Sequence, residues 1–246
     1  MAAPPAPEEA SPSSLLPVIE LRGVEKHYWM GDTLVKALQG IDLAILPGDY
    51  ISILGPSGCG KSTLLNILGC LDQPTVGQYL LDGIDVSKLP DDELSRVRGK
   101  KLGFIFQSYN LIQQLTVVEN IEVPLYYQGV PEKEGREIAI ELAHRVGLGK
   151  RLDHRPTELS GGQQQRVAIA RALSNDPAVI LADEATGNLD SKSGGDILGI
   201  FDQLNADGKT LVLITHDEGM ADRTSRTIRL KDGAVAYDSR GGAPGR

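Results

Sequence analysis

Hydrophobic and polar residues alternate near the start of the chain, which is the pattern of strands with one buried face. Residues 18–28 begin Val-Ile-Glu-Leu-Arg, and residues 38–46 contain Ile-Asp-Leu-Ala-Ile-Leu before a Pro-Gly-Asp turn. Residues 50–54, Tyr-Ile-Ser-Ile-Leu, form a short apolar run that indicates a buried strand. We expect the two early strands to pair antiparallel beside this buried strand.

The middle of the chain changes to the spacing of helices. Residues 108–129 have helix-like apolar spacing but poor helix propensity. Residues 132–146 are clearly amphipathic, with Ile138, Leu142 and Val146 on the apolar face and Ala139 and Ala143 beside them. A further helix is predicted over residues 160–173. This part of the chain is therefore predicted to be mostly helical.

Strand and helix patterns alternate on both sides of this helical part, which predicts an α/β fold with a mostly parallel core sheet. Asp82-Gly83 indicates a hairpin turn between two short strands. The other predicted elements are helices over 91–98 and 191–204, strands over 101–106, 178–182 and 210–215, and a closing hairpin over 227–237.

These patterns predict one domain over residues 18–240, with a helical subdomain at about 108–174. Residues 1–17 are rich in Ala, Pro, Ser and Glu and carry no positive charge, which predicts a disordered leader rather than a secretory signal. Residues 241–246 are expected to form a loose tail. No apolar run approaches the roughly 20 residues of a spanning helix, so we expect no membrane span in this chain.

One glycine-rich stretch has the spacing of a phosphate-binding loop. Residues 55–62, Gly-Pro-Ser-Gly-Cys-Gly-Lys-Ser, match G-x-x-x-x-G-K-S and lie between a predicted strand and a predicted helix. Glycines let backbone N–H groups surround phosphate oxygens, and the helix N-terminus adds unpaired donors. Lys61 suits the β- and γ-phosphates, and the Ser62 hydroxyl suits Mg²⁺. The predicted nucleotide-binding residues are Gly55, Pro56, Ser57, Gly58, Cys59, Gly60, Lys61, Ser62 and Thr63.

Cys59 lies inside this loop, where a helix N-terminus favours a reactive thiolate. We favour a packing role for its side chain and a phosphate-binding role for its backbone amide. Cys70, the other cysteine, is separated from Cys59 by a predicted helix and is expected to lie beyond disulfide distance. Two cysteines are too few for a disulfide framework and suit a reducing cytosol.

Polar residues follow predicted strands at the points where the strands end. Gln107 ends one strand, Asp183 and Glu184 end the next, and His216 ends a third. The carboxyl ends of parallel strands share one edge of the sheet, where ligands bind. Asp183 is expected near Mg²⁺, Glu184 beside the attacking water, and His216 at the γ-phosphate. Without the glycine-rich loop, an Asp-Glu pair would indicate a helix cap, and a lone histidine would indicate a surface position.

Residues 159–163, Leu-Ser-Gly-Gly-Gln, open the helix predicted over 160–173. Ser160 is a good N-cap, and the two glycines let an anion approach the helix N-terminus closely. An ordinary capped helix is the alternative, although this order of residues is rare by composition. The predicted contacts to nucleotide are Ser160, Gly161, Gly162 and Gln163.

Two aromatic residues, Tyr28 and Trp29, precede a predicted loop at the end of the first strand. Either residue could stack on a flat ligand such as adenine, or either could be a half-buried strand residue, and the periodicity does not separate these alternatives. The chain of 246 residues has a net charge of −8 and no dense Lys/Arg stripe, which argues against a nucleic acid as the main ligand.

Taken in order, these motifs resemble the nucleotide-binding subunit of ATP-binding-cassette (ABC) transporters over residues 18–237. By this resemblance, residues 55–62 are the Walker A loop and residues 159–163 the signature motif. Residues 180–183 with Glu184 resemble the Walker B strand and catalytic glutamate. The remaining matches are Gln107 as the Q-loop, residues 187–190 with Asp190 as the D-loop, His216 as the switch histidine, and Tyr28 as the adenine-stacking aromatic.

The resemblance implies the P-loop NTPase fold of ABC ATPases, with an antiparallel β subdomain and an inserted helical subdomain. It implies ATP and Mg²⁺ as cofactors. The metal residues would be Ser62, Gln107 and Asp183, and the catalytic residues Glu184, His216 and Gln107. Departures from the family pattern are small: Cys59 replaces the usual small residue, and the leader is extra.

The resemblance also implies partners. Two chains would pair head to tail when ATP binds, so that Ser160 and Gly162 of one chain close over the ATP held by Lys61 of the other. A separate transmembrane permease would engage residues 107–128. The chain would then work in the cytoplasm, peripherally bound to the cytoplasmic face of the plasma (inner) membrane.

Three strings, at residues 66–72, 110–120 and 160–172, are similar to the lipoprotein-release and macrolide-exporter branch (LolD/MacB type) of this family. That similarity implies export, lipoprotein release or mechanotransmission. The alternatives are a non-transport ABC ATPase with a regulatory or repair role and a different P-loop enzyme. The first usually has two cassettes or a long insertion, and a GTPase would need an Asn-Lys-x-Asp motif; neither feature is found in this sequence.

Overall fold

The computed structural model describes residues 16–240, and in this range the chain forms two sheets with helices packed against them. Most of the expected leader and the whole expected tail lie outside the described residues. The strands are β1 (Ile19–Met30), β2 (Thr33–Ile45), β3 (Tyr50–Leu54), β4 (Val76–Leu81), β5 (Ile84–Asp85), β6 (Leu102–Ile105), β7 (Val179–Asp183), β8 (Thr210–Ile214), β9 (Arg226–Lys231) and β10 (Ala234–Asp238). The α-helices are α1 (Lys61–Leu68), α2 (Asp91–Lys101), α3 (Val117–Tyr127), α4 (Glu132–Arg145), α5 (Gly161–Leu173) and α6 (Ser191–Ala206).

The larger sheet has the strand order β10-β9-β3-β8-β7-β6. β3 pairs in parallel with both β8 and β9, and β7 pairs in parallel with both β6 and β8. Only the terminal hairpin strand β10 runs antiparallel in this sheet. The expected mostly parallel core sheet is confirmed, and its central strands are apolar because helices or the second sheet cover both faces.

The smaller sheet is antiparallel, in the order β2-β1-β4-β5. The two early strands pair with each other as expected. Their expected position beside β3 is wrong, because β8 and β9 occupy both edges of β3 and the free edge of β1 pairs with β4. The reason lies in the patterns: a strand with alternating polarity needs one covered face, whereas the continuous apolar run of β3 needs two.

The helices α3, α4 and α5 lie between β6 and β7 along the chain. α3 starts later than the sequence suggested, at Val117, because Thr116 caps it in a capping box with Glu119. The preceding loop is fixed by the buried Asn120, whose side-chain amide donates to the carbonyls of Ile112, Leu115 and Thr116.

The inner face of α4 agrees in part with the expected one. Val146, Ala139 and Ala143 are buried as expected, whereas Ile138 and Leu142 are only half-buried and Gly135 is buried as well. The glycine and the two alanines allow a close approach to α3, where a Cβ at position 135 would already touch the side chain of Leu125. In this helix packing the small residues are therefore buried more deeply than the larger Ile138 and Leu142.

Two hydrophobic clusters hold the molecule together, one on each face of the larger sheet. One cluster joins that sheet to β1, β2 and α1, and the other joins it to α5 and α6. Within residues 16–240, no helix combines the length and the apolar composition needed to cross a bilayer.

Candidate functional site

The loop between β3 and α1 adopts the geometry of a phosphate cradle. Gly60 is the N-cap of α1 and has φ +104°, a left-handed conformation that favours glycine. A Cβ at Gly60 would lie 2.7 Å from the carbonyl oxygen of Ala37. No side chain caps α1, and its first turn contains no acidic residue, so the N–H groups there remain suitable for an anion.

Lys61 folds back over this loop. Its Nζ donates to the carbonyl oxygens of Gly55 at 2.7 Å and Pro56 at 2.9 Å. Cys59 is buried beneath the loop, with its Sγ packed toward Gly55. The ammonium group is thus held at the mouth of the loop, whereas the thiol packs inside, as its expected packing role requires.

A cleft of about 590 Å³ opens in front of the loop. It brings residues of the loop together with Glu184, which follows β7, and His216, which follows β8. Its lining also includes residues that the sequence reasoning missed. The lining residues are Val35, Lys36, Ala37, Gln39, Ser57, Gly58, Gly60, Lys61, Ser62, Thr63, Glu184, His216, Asp232 and Gly233.

Glu184 and His216 form a pair at the edge of the sheet. The Oε1 of Glu184 lies 2.8 Å from the Nδ1 of His216. Glu184 has φ +43°, and its backbone N–H donates to the carbonyl of Ile214 at 2.8 Å. A non-glycine residue in this conformation carries backbone strain, and such strain concentrates at functional sites.

Asp183 ends β7 directly before this pair and is half-buried. Burial raises the pKa of its carboxyl above the ordinary value, and the negative charge of Glu184 raises it further, while Lys61 opposes both. The strand end therefore holds negative charge that the protein only partly compensates, which favours a cation at this position.

Of the strand-end residues, Glu184 and His216 line the cleft, whereas Gln107 and Asp183 do not. The Nε2 of Gln107 lies 3.4 Å from the Oδ1 of Asn188, and the Nδ2 of Asn188 donates to the carbonyl of Gln107 at 3.0 Å. These two hydrogen bonds join the segment after β6 to the loop at 187–190, which follows Glu184 in the chain.

The Leu-Ser-Gly-Gly-Gln motif lies away from the cleft of its own chain. Ser160 caps α5 in a capping box: its Oγ accepts from the N–H of Gln163, and its N–H donates to the Gln163 Oε1. A second cavity of about 310 Å³ is lined by Ser160, Gly162 and Gln163, together with Ser193. Ser160 is therefore a capping residue, as the alternative interpretation held, and the N-terminus of α5 also opens to a cavity.

The two glycines of this motif are closely packed. A Cβ at Gly161 would lie 2.9 Å from the Tyr109 hydroxyl, and one at Gly162 would lie 3.0 Å from the Cβ of Ser193. Asp190 caps α6 by accepting from the N–H groups of Lys192 and Ser193. The motif and the loop before α6 thus form one packed surface.

Tyr28 lies on β1, directly opposite Val35 of β2, and Val35 lines the cleft. The Tyr28 hydroxyl donates to the Oδ2 of Asp72 at 2.9 Å. Tyr28 is half-buried, whereas Trp29 is 72% exposed. Of the two aromatics, Tyr28 is the one tied to the structure around the phosphate-binding loop.

The missed lining residues come from β2 and from the turn between β9 and β10. The N–H of Gln39 donates to the carbonyl of Gly233 at 2.8 Å, and the N–H of Gly233 donates to the carbonyl of Cys59 at 3.0 Å. The Asp232-Gly233 turn is visible in the sequence, but nothing in the sequence says that it packs on the phosphate-binding loop.

The model of the ABC transporter family matches residues 38–187, more than half of the chain. The chain belongs to the ABC transporter family. Within that family it is an ATP-binding and ATP-hydrolysing cassette.

Individual relatives agree. An ABC transporter ATP-binding protein of Thermotoga maritima is 55% identical over 218 residues, which cover 89% of this chain and 93% of that protein. Macrolide export ATP-binding/permease proteins MacB of Paracoccus denitrificans and Hyphomonas neptunium are each 51% identical over 93% and 91% of this chain. The chain spans only about a third of their length, 34% and 35%.

Two solved structures of the cassette MJ0796 share the fold. One is a dimeric post-hydrolysis state bound to ADP and Pi, with a TM-score of 0.83 and 46% identity. The other is a dimeric structure described as a bacterial ABC transporter cassette, with a TM-score of 0.82 and 47% identity. Each match covers 93% of this chain and the whole of the other chain.

Proposed function

We propose that this cassette hydrolyses ATP between two copies of the chain and uses the resulting motion to drive a separate membrane permease. The observation that carries the catalytic part is the cleft, because it brings Lys61 and Ser62 of the phosphate-binding loop to the Glu184–His216 pair. These residues come from three strand ends, and that is the arrangement in which open α/β sheets bind ligands.

The phosphates of ATP occupy the loop. Backbone N–H groups at the N-terminus of α1 would contact the β-phosphate, and Lys61 would exchange its carbonyl partners for phosphate oxygens. Tyr28 stacks on the adenine, with Val35 beside it. Stacking of this kind contributes roughly 1–3 kcal/mol.

A magnesium ion fits the donors at the strand end. Within residues 16–240, no cluster of three or more His, Cys, Asp or Glu side chains could hold a metal alone. Mg²⁺ is commonly bound by one or two protein oxygens together with phosphates, and the Ser62 hydroxyl and the half-buried Asp183 provide such oxygens. Gln107 would join them only after leaving Asn188. When bound, the ion neutralises charge on the β- and γ-phosphates.

Glu184 is the general base in this proposal. It accepts a proton from the water that attacks the γ-phosphorus, the bond to the bridging oxygen of the β-phosphate breaks, and ADP and inorganic phosphate leave. His216 holds the Glu184 carboxylate through the contact at 2.8 Å and faces the γ-phosphate from the same cleft.

The dimer explains why the signature motif has its own cavity. Ser160, Gly161, Gly162 and Gln163 do not line the cleft of their own chain, yet they present a helix N-terminus to solvent. In a head-to-tail pair this N-terminus would cover the γ-phosphate bound by the partner. Asp190, on the same packed surface, would lie at the dimer interface. The dimeric state of both MJ0796 structures supports this arrangement.

The permease is proposed to dock near residues 107–128. A groove of about 540 Å³ opens between α3 and α4, and Tyr126 and Tyr127 beside it are 78% and 82% exposed. Relatives named ATP-binding/permease proteins support a membrane partner and a position on the cytoplasmic face of the plasma (inner) membrane. Similarity to the MacB branch supports export, lipoprotein release or mechanotransmission as the task.

The test of the catalytic proposal is Glu184→Gln, with Glu141→Gln as the matched control, because Glu141 is an exposed acid on α4. We expect Glu184→Gln to bind ATP, to lose at least about 100-fold in turnover because a general base is removed, and to accumulate as an ATP-bound dimer in size-exclusion chromatography. Glu141→Gln should behave like the unaltered chain. Turnover of Glu184→Gln near the unaltered rate would reject Glu184 as the base.

A further inference from the structure

Tyr28 is held by a group of charged residues that no motif predicts. Its hydroxyl donates to the Oδ2 of Asp72 at 2.9 Å. The other oxygen of Asp72, Oδ1, accepts from the Nζ of Lys26 at 2.5 Å and from the N–H of Gln73 at 2.8 Å. The Asp72 carboxylate therefore uses both oxygens and is fixed in one orientation.

Lys26 closes this group from the other side. Its Nζ also donates to the carbonyl of Gln73 at 2.8 Å and lies 5.1 Å from the centre of the Tyr28 ring. The Lys26 side chain is only 13% exposed. The ring of Tyr28 is thus restrained at its hydroxyl by Asp72 and on one face by a cation.

Asp72 is itself fixed to the helix that begins at the phosphate-binding loop. The N–H groups of Leu71 and Asp72 both donate to the carbonyl of Asn66, in the last turn of α1. Tyr28 on β1 is therefore connected through Asp72 to the helix that presents Lys61 and Ser62.

We propose that Asp72 is a positioning residue that fixes the Tyr28 ring relative to the phosphate-binding loop, so that the adenine and the phosphates of one nucleotide are met at a preset distance. This inference rests on the proposed stacking of Tyr28 on adenine. Asp72 does not touch the nucleotide. It acts by removing the freedom of a ring that binding would otherwise have to order.

The consequence is selective. Loss of Asp72 lowers the affinity that the adenine ring contributes and leaves the affinity that the phosphates contribute unchanged. Ordering one side chain on binding corresponds to about a 2- to 10-fold change in affinity. Removal of the whole ring costs more, about 5- to 150-fold.

The experiment compares two probes on the full chain: ADP, which carries adenine, and inorganic tripolyphosphate, which does not. Calorimetric titration gives the Kd of each probe for Asp72→Ala, Tyr28→Phe, Tyr28→Ala and Asp82→Ala. Asp82 is the matched control, because it is an acid of the same antiparallel sheet that pairs with Lys101 away from Tyr28. Circular dichroism melting establishes that each variant is folded.

We expect Asp72→Ala and Tyr28→Phe to weaken ADP binding by about 2- to 10-fold, with tripolyphosphate binding and Asp82→Ala unchanged. Combining the two substitutions should add little to either one, since both remove the same hydrogen bond. If Asp72→Ala is poorly folded, Tyr28→Phe provides the comparison, because it removes the same hydrogen bond.

Three results would overturn the inference, and they differ in meaning. If Tyr28→Ala weakens ADP binding and Asp72→Ala does not, Tyr28 stacks on adenine without needing Asp72. If Asp72→Ala weakens both probes equally, Asp72 supports the loop as a whole. If Tyr28→Ala leaves ADP binding unchanged, the proposed adenine contact itself is wrong.

Discussion

Asp183 illustrates how a single residue at this site opposes stability and serves binding. It ends an apolar strand, so its carboxyl is half-buried beside the carboxylate of Glu184. Burial foremost, and then the charge of Glu184, raises the pKa of Asp183 above its ordinary value of 3.8. An ionised Asp183 therefore destabilises the folded chain at neutral pH, and the proposed cation would offset this cost.

We expect Asp183→Asn to raise the melting temperature of the nucleotide-free chain by a few degrees at neutral pH and to abolish Mg²⁺-dependent ATP turnover. The sign follows from linkage: an acid whose folded pKa is raised destabilises the fold above that pKa, and the effect disappears as the pH falls below the unfolded value. The gain should therefore shrink on acidification.

Thermal melting between neutral and acidic pH measures this, with the exposed turn residue Asp32→Asn as control. A melting temperature that does not rise, or a gain independent of pH, would contradict the electrostatic explanation of Asp183.

At the scale of the element, two helices begin with the same device and serve different purposes. Thr116 caps α3 and Ser160 caps α5, each in a full capping box. Thr116 closes the end of a loop that Asn120 holds from within. Ser160 instead faces a cavity, so its helix N-terminus can serve both the fold and a partner's nucleotide.

Because the local chemistry is the same, Thr116→Ala and Ser160→Ala should each lower the free energy of unfolding by about 1 kcal/mol. Only Ser160→Ala should also weaken ATP-driven dimerisation and slow turnover. Urea unfolding measures the free energy of unfolding. Sedimentation velocity of the ATP-bound chain in the Glu184→Gln background measures dimerisation. Equal losses of dimerisation in both variants would show that cap stability, rather than contact with nucleotide, explains the effect of Ser160.

In the molecule as a whole, one segment of the chain lies between the sheet edge at Glu184 and the groove between α3 and α4. Gln107 bonds to the loop beside Glu184, and Arg171 of α5 donates to the carbonyls of Tyr109 and Asn110. The groove farther along contains Glu122, whose buried Oε1 has no hydrogen-bond partner among the described residues but lies 3.7 Å from the Nη1 of Arg136. Burial raises the pKa of Glu122, and the positive charge of Arg136 opposes this shift.

The permease proposal predicts that Tyr126→Ser, combined with Tyr127→Ser, leaves ATP turnover of the purified chain unchanged but prevents recovery of a membrane partner. The experiment is an ATP-dependent pull-down from membranes with mild crosslinking, in the Glu184→Gln background, followed by mass spectrometry. Tyr237→Ser is the control, because Tyr237 is an exposed tyrosine on β10.

The expected partner is a few-helix permease with a large extracytoplasmic domain, recovered with the control and lost with the double variant. Its recovery with the double variant would contradict docking at this groove. Recovery of only non-membrane proteins in every case would contradict the transporter role itself.

The sequence alone determined the parts of this protein that depend on neighbouring residues. The strand, loop and helix around Lys61 follow from an apolar run, glycines at positive φ and a helix start within one short stretch. The positions of Asp183, Glu184 and His216 at strand ends follow in the same way, because each strand is a short apolar run with a polar end. Ser160 is visible as an N-cap for the same local reason.

Which of these parts meet depends on long-range packing that the local sequence does not specify. The edges of β3 pair with β8 and β9, from distant parts of the chain, and the smaller sheet forms apart from them. Several contacts join residues that are far apart in the chain. They are the packing of β2 and Gly233 at the cleft, the contact of Gln107 with Asn188, and the hydrogen bond of Tyr28 with Asp72. Local propensity leaves such pairings open, because they depend on which buried faces and hydrogen-bonding edges remain to be covered once the whole chain has packed.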